Sequence, residues 1–334
     1  MMSYTDGALV GKKVLVTGAT GFIGGRLAER LAQEEGALVT GTGRDLSKVS
    51  FLAEAGVRLV AADLQQRETM ASLMADQEIV FHVAAWLGRK GDATVAEAIN
   101  VQMTTDLVRA AAAAGVRLFV HVSSIAAYGA RDRGVVAEDY PVDTEQTFDY
   151  GRTKALGELA VRKLAKDLGM SWVVVRPAEV YGPRAMEWSV SMLELVKKRV
   201  PVVIGGGEGQ VHPIYIDNVV DGLLLVGSRE AAEGEIFNMT GPACTWKRFF
   251  QYYGRMSGRR LWGIPLWLGK VLAMANETIG LGLPLTRQTI LFYEAHVDYP
   301  MDKAKRLLGY EPRVSLDEGM ARTEAWLRAE GYLG

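Results

Sequence analysis

The chain has 334 residues, 49% hydrophobic and 23% charged, which suits two domains or one large core with an added lobe. Its 38 basic and 39 acidic residues leave a formal charge of -1, which argues against a nucleic-acid or strongly acidic partner. A lone cysteine, Cys244, excludes an internal disulfide and fits a reducing, cytoplasmic setting; with four histidines it offers no metal-ligand spacing.

Residues 1–11 carry no apolar signal region. The β-forming run Val14-Leu15-Val16 then leads into Thr17-Gly18-Ala19-Thr20-Gly21-Phe22-Ile23-Gly24-Gly25. Phe22, Ile23, Leu27 and Leu31 follow at helical spacing. Glycines on a strand-to-helix turn are the context a dinucleotide-binding loop requires. Gly18 suits a tight turn, Gly21 leaves a pyrophosphate room to approach the backbone, and Gly24 lets the helix pack close to the strand. The free N–H groups of the helix start favour phosphate, so Gly18, Thr20, Gly21, Phe22, Ile23 and Gly24 form the expected cradle.

Strand-like runs at 13–17, 37–41, 58–62, 79–84, 118–123 and 172–176 alternate with helical patterns, notably 95–114 and 151–168. Their Val, Leu and Ile content predicts an α/β fold, a doubly wound parallel sheet of Rossmann type. After Pro177 the pattern loosens, with Pro183, Pro201, Pro213 and Pro242 punctuating shorter elements and Trp188, Trp246, Trp262 and Trp267 falling among them. This predicts a smaller substrate lobe, interleaved with a return to the sheet at 214–216. The division is 1–176 with 211–238 for the dinucleotide domain, and 177–210 with 239–334 for the lobe. The apolar stretch 261–285 is interrupted by Lys270, Glu277 and Pro284, so it reads as core of the lobe or pocket wall, and no membrane span is expected.

The end of the second strand selects the cofactor. A carboxylate about 20 residues past the glycines favours NAD. Here Thr40-Gly41-Thr42-Gly43-Arg44 stands before Asp45 and Lys48. Arg44 can hold a 2′-phosphate bidentately and Lys48 can add a charge, which favours NADP over NAD, with Asp45 as the rival contact to ribose. Asp63, next to Leu64, is either a contact to the adenine edge or a helix N-cap.

Tyr150-Gly151-Arg152-Thr153-Lys154 places a phenol and an ammonium on one helical face. Free tyrosine titrates near pH 10, and about 4 kcal/mol of differential stabilisation would bring it to about 7. Lys154 is the expected source of part of that, together with a positively charged nicotinamide, with Tyr150 as general acid or base and Lys154 also bonding the cofactor ribose. Upstream, Ser124 follows a strand end and can orient a reacting carbonyl.

These segments stand in the order seen in extended short-chain dehydrogenases/reductases, which the chain resembles over nearly its whole length. The matching stretches are 17–24, His82-Val83-Ala84-Ala85, Val122-Ser123-Ser124-Ile125-Ala126-Ala127-Tyr128-Gly129, Tyr150 to Lys154, and Arg176-Pro177-Ala178-Glu179-Val180-Tyr181-Gly182-Pro183. Pro213-Ile214-Tyr215-Ile216-Asp217-Asn218 and Leu308-Gly309-Tyr310-Glu311-Pro312 look like the same family. The resemblance implies NAD(P) binding, with Ala84, Ala85 and Pro177 also at the cofactor, Ser124, Tyr150 and Lys154 as catalytic triad, and a homodimer. Asn100 matches the family's helix asparagine, although Met103 replaces the glycine expected nearby.

Sugar-nucleotide epimerases and dehydratases of this family tend to carry Asn where this chain has Ala178-Glu179, and an Arg clamp where it has Val211 and His212. Dehydratases place an acidic pair where Ile125 and Ala126 stand. The expected pocket wall is apolar: Trp86, Ile125, Tyr181, Met186 and Trp188. The pattern is therefore nearest the 3β-hydroxysteroid dehydrogenase and dihydroflavonol reductase branch, implying an oxidoreductase acting on a bulky alcohol or ketone. A nucleotide-sugar epimerase is the alternative, and a cofactor sensor without chemistry a third.

Overall fold

The computed structural model describes residues 4–88, 92–282 and 285–334. Residues 1–3 and Pro284, both used above, lie outside the described residues. Seven strands form one parallel sheet: β1 (Lys13–Thr17), β2 (Leu38–Gly43), β3 (Arg58–Ala61), β4 (Ile79–His82), β5 (Leu118–Val122), β6 (Ser171–Pro177) and β7 (Ile236–Met239). Their order across the sheet is β7-β6-β5-β4-β1-β2-β3. Every residue of β4 and β5 is buried, as an apolar strand covered on both faces must be. The doubly wound Rossmann-like sheet predicted by the β/α alternation is present.

The strand order reverses between β1 and β4, where the carboxyl ends of parallel strands leave a crevice for a ligand. Register aligns Thr17 of β1 with His82 of β4, and His82 with His121 of β5. The glycine turn after β1 and the serine after β5 thus reach the same edge. Helix α1 (Phe22–Gln33) leaves the glycine turn. Residues 93–113, expected as part of one helix, are broken by a π-helical segment, Ala98–Met103, before α2 (Thr104–Ala113). Helix α3 (Asp149–Asp167) carries Tyr150 and Lys154. Helix α4 (Ile216–Ser228) packs on α1, where Arg30 pairs with Asp221 at 2.7 Å.

The return to the sheet lies elsewhere than expected. Ile214–Tyr215 pairs in parallel with Val180–Tyr181 in a separate two-stranded ladder, and the seventh strand is Ile236–Met239 beside β6. Pro213 precedes residue 214 and α4 starts at Ile216, which leaves two residues for strand geometry. Beyond the sheet, helix Trp246–Ser257 buries Trp246, Phe249, Phe250 and Tyr253. One hydrophobic cluster runs from Val14 and Val16 through Leu223 to Trp246 and Phe249, so the sheet and this helix share a core.

Candidate active site

Lys154 is 2% exposed and its Nζ donates to the carbonyl oxygen of Val122 at 2.6 Å. That bond ties α3 to the end of β5. Ser124, two residues beyond Val122, caps the short 3₁₀ turn Ile125–Tyr128 by accepting from Ala126 N–H at 3.1 Å. Its hydroxyl is near enough to the phenol of Tyr150 to lower that group's pKa, and Tyr150 lies one helical turn before Lys154. The structure thus gathers Ser124, Tyr150 and Lys154 at one edge of the sheet.

The electrostatics run against one expectation. Burial pushes the Tyr150 phenol up to about 12; the Ser124 bond opposes this and the charge of Glu187 adds to it. The Lys154 ammonium, directed at the Val122 carbonyl, is not among the groups that lower it. Burial lowers Lys154 itself to about 8, with Glu158 one turn on opposing that fall. Burial and this ammonium also keep His82 neutral, with a pKa of about 3, and hold His121 well below the imidazole range. The chain's own residues therefore keep Tyr150 a protonated acid through neutral pH.

The glycine turn fits a dinucleotide. Gly18 has φ of +70°, and a Cβ there would lie 2.7 Å from Ala84 N, while one on Gly24 would lie 2.3 Å from Gly18 O. No side chain caps α1 at Gly21 and no acid stands in its first turn, so the amides after Thr20, those of Phe22 and Ile23 among them, present a positive end to a pyrophosphate. Thr17 Oγ1 accepts from the amides of Val83 and Ala84 at 3.2 and 3.3 Å, locking β1 to the segment holding Ala84 and Ala85. Pro177 ends β6, one strand beyond Ser124.

At the end of β2, Arg44 and Lys48 are exposed. Asp45 accepts from Ser47 N–H at 2.9 Å, and its carboxylate is lowered by hydrogen bonding to Ser47, so it is occupied by its own turn. Asp63 likewise accepts from Gln65 N–H at 3.1 Å. It does not cap the following helix, Arg67–Met74, whose N-cap is Gln66; Leu64 beside it is buried.

Two expected site residues fall in other roles. Asn100, 2% exposed on the π-helical segment, accepts from Trp86 N–H at 2.7 Å and donates to Trp86 O at 3.1 Å and Thr153 Oγ1 at 3.0 Å. With its side chain so engaged it is a positioning residue, holding the Trp86 segment against α3. Tyr181 is a correction: it is 1% exposed, packs edge-on to Tyr215 and Phe249, and is core rather than pocket wall. Alternation along Val180–Tyr181 turns its ring toward the final helix, where its hydroxyl donates to Leu316 O at 3.4 Å. Trp188 stacks on Trp246, with centroids 6.2 Å apart. Ile125 is buried against Tyr128 and Val136, and Met186 is exposed.

Sequence reading missed Glu187. It sits with Met186 on a second π-helical segment, Met186–Ser191. Residue 187 is exposed, yet surrounding protein raises its carboxyl pKa, and its charge reaches Tyr150. Spacing could not signal it, because the π turn shifts the face that side chains present. The buried pair of Arg176 and Glu158, 2.9 Å between Nε and Oε2, was also missed. Cys244 is buried and its thiol is pushed up to about 11 by that burial.

Comparison with known proteins follows the same lines. A 4-hydroxy-2-methyl-3-oxo-4-farnesyl-3,4-dihydroquinoline-1-oxide ketoreductase of Stigmatella aurantiaca is 26% identical, over 92% of this chain and 94% of that protein. A UDP-glucose 4-epimerase of Vibrio cholerae is 25% identical, over 95% and 96%. The epimerase Mth375 of Methanothermobacter thermautotrophicus shares the fold, with a TM-score of 0.81 at 23% identity over 98% of this chain and 96% of that one. Residues 14–240 match the NAD dependent epimerase/dehydratase family, and the chain belongs to that family, within the extended short-chain dehydrogenases/reductases.

Proposed function

We propose that the protein is an NADP(H)-dependent oxidoreductase that interconverts an alcohol and a ketone on a bulky, largely apolar substrate. The observation that carries this is the state of Tyr150, a phenol held protonated beside the Ser124 hydroxyl at the mouth of the dinucleotide crevice. The cofactor, when bound, supplies or accepts hydride at the substrate carbon. The protein's part is to move the proton. Ser124 accepts from Ala126 N–H, so its own O–H is free to donate to the phenol oxygen. Tyr150 then directs its proton at the substrate carbonyl oxygen, as a general acid. Lys154 fixes the helix that aims it.

The cradle of residues 18–24 would hold the pyrophosphate, and Arg44 with Lys48 the 2′-phosphate, since Asp45 is turned to Ser47. The UDP-glucose 4-epimerase relative supports a second reading as an epimerase. Against it, Val211 is buried where an arginine clamp would stand. Glu179 is 5% exposed, accepting from His212 N–H at 3.1 Å. A buried carboxyl with no cation is a poor neighbour for a diphosphate. The ketoreductase relative, whose named substrate bears a farnesyl group, supports the apolar reading. The same reading has the protein act as a cytoplasmic homodimer.

Three outcomes are expected. Tyr150→Phe abolishes turnover and leaves cofactor binding intact; a variant keeping more than about a tenth of wild-type kcat, less than ~1.4 kcal/mol of barrier, would remove Tyr150 as proton donor. Arg44→Ala loses about 1.5–3 kcal/mol of NADPH affinity and almost none for NADH, measured as dissociation constants. Equal losses would show that Arg44 does not read the 2′-phosphate.

The third concerns pH. Burial raises the Glu179 carboxyl from 4.5 to about 7. It binds its proton more tightly folded than unfolded, so its contribution is fully present below pH 4.5 and lost as pH rises through about 7. Glu179→Gln is therefore expected to stabilise the protein at pH 8 by up to about 3 kcal/mol in urea unfolding, and to change little at pH 4.5. A pH-independent difference would contradict the buried-carboxyl assignment.

A further inference from the structure

The helix Leu266–Ile279 packs Leu266, Leu268 and Leu272 half-buried on a small core cluster and leaves other large apolar side chains in water. Gly269, Ala273 and Asn276 face inward. Trp267, Val271 and Met274, spaced by four and three residues, share the outward face, and Trp267 is 66% exposed. Ile279, 70% exposed, and Leu281 continue the apolar run. Single exposed apolar residues are ordinary, but a one-sided run of this kind marks an interaction surface. The stretch, expected as core or pocket wall, thus has a face that neither role explains.

A cavity of about 600 Å³ opens where this helix begins, with Leu261, Trp262 and Gly263 in its wall. Lys247, Arg255, Arg259 and Arg260 also line it, and no acidic side chain does. Among the described residues none of these four cations forms an ion pair; Arg255 lies over the Tyr252 ring at 4.6 Å. The helix's own charges are matched locally, Lys270 by Glu294 at 3.1 Å and Glu277 by Arg287 at 2.6 Å. A chain of net charge -1 therefore concentrates unpaired positive charge at one end of an exposed apolar face.

We propose that this face docks the protein on an anionic lipid bilayer. The apolar side of Leu266–Ile279 seats at the boundary between headgroups and acyl chains, and Lys247, Arg255, Arg259 and Arg260 hold lipid phosphates. Charge complementarity selects this occupant. A second copy packed on the apolar side by two-fold symmetry would cover that side, but the cations sit at one end of it and the cavity wall brings them no acidic side chain. A small soluble anion would leave the apolar side uncovered. A bilayer with acidic headgroups satisfies both parts. The helix has 14 residues, about 21 Å, and no helix among the described residues is long and apolar enough to cross a membrane, so the mode is lying on the surface. This inference stands apart from the reaction proposed above.

Flotation of the full-length protein with vesicles tests it without any turnover readout. Vesicles of phosphatidylcholine and phosphatidylglycerol are expected to bind the wild type at least about tenfold more tightly than phosphatidylcholine alone, with binding falling as salt is raised. Trp267→Glu with Met274→Glu, and separately Arg259→Ala with Arg260→Ala, should each lose about tenfold, at unchanged far-UV circular dichroism and Tm. Sedimentation velocity without lipid should give one oligomeric state for all three proteins. No preference of the wild type for anionic vesicles would overturn the proposal, whatever the variants do. So would a change of oligomeric state in the Trp267 variant, which would assign the face to a protein partner.

Discussion

The candidate site rests on one buried ammonium. Lys154 lies inside the protein with Nζ 2.6 Å from the Val122 carbonyl, and that bond sets the helix carrying Tyr150 against the strand that leads to Ser124. An ammonium out of water is costly, which is why its pKa falls to about 8. Glu158, one helical turn on, partly offsets this and is itself held by Arg176 of β6. Lysine, glutamate and arginine thus link α3 to two neighbouring strands, and Tyr150 and Ser124 take their geometry from that link.

The same arrangement sets the acid–base character. Burial, rather than the ammonium one turn on, dominates the phenol of Tyr150. A phenol with a pKa of about 12 is protonated at neutral pH, and in the reaction proposed above it is the donor to the carbonyl oxygen. Glu187, at the mouth, adds a negative charge that strengthens this bias.

Much of this was legible because its signals are local. The glycine turn after Val14-Leu15-Val16 and the four-residue spacing of Tyr150 and Lys154 are fixed by chain geometry, and both are where the pattern put them. What escaped depends on tertiary context. The seventh strand, Ile236–Met239, has four residues including a polar Asn238, too short for period to declare it. The π-helical turns at Ala98–Met103 and Met186–Ser191 rephase their helices, which hid the positioning role of Asn100 and the presence of Glu187. Tyr181 stands in a motif shared with site residues, yet the direction of one side chain from a two-residue strand is set by what packs beside it.

The central claim is that this family scaffold serves redox chemistry on an apolar substrate, without a site for a nucleotide diphosphate. Calorimetric titration of the cofactor-loaded protein with UDP and dTDP tests it most directly. The buried Val211 and the uncompensated Glu179 predict no measurable binding. Affinity in the low micromolar range, about -8 kcal/mol, would contradict the account and establish a diphosphate site where none is expected.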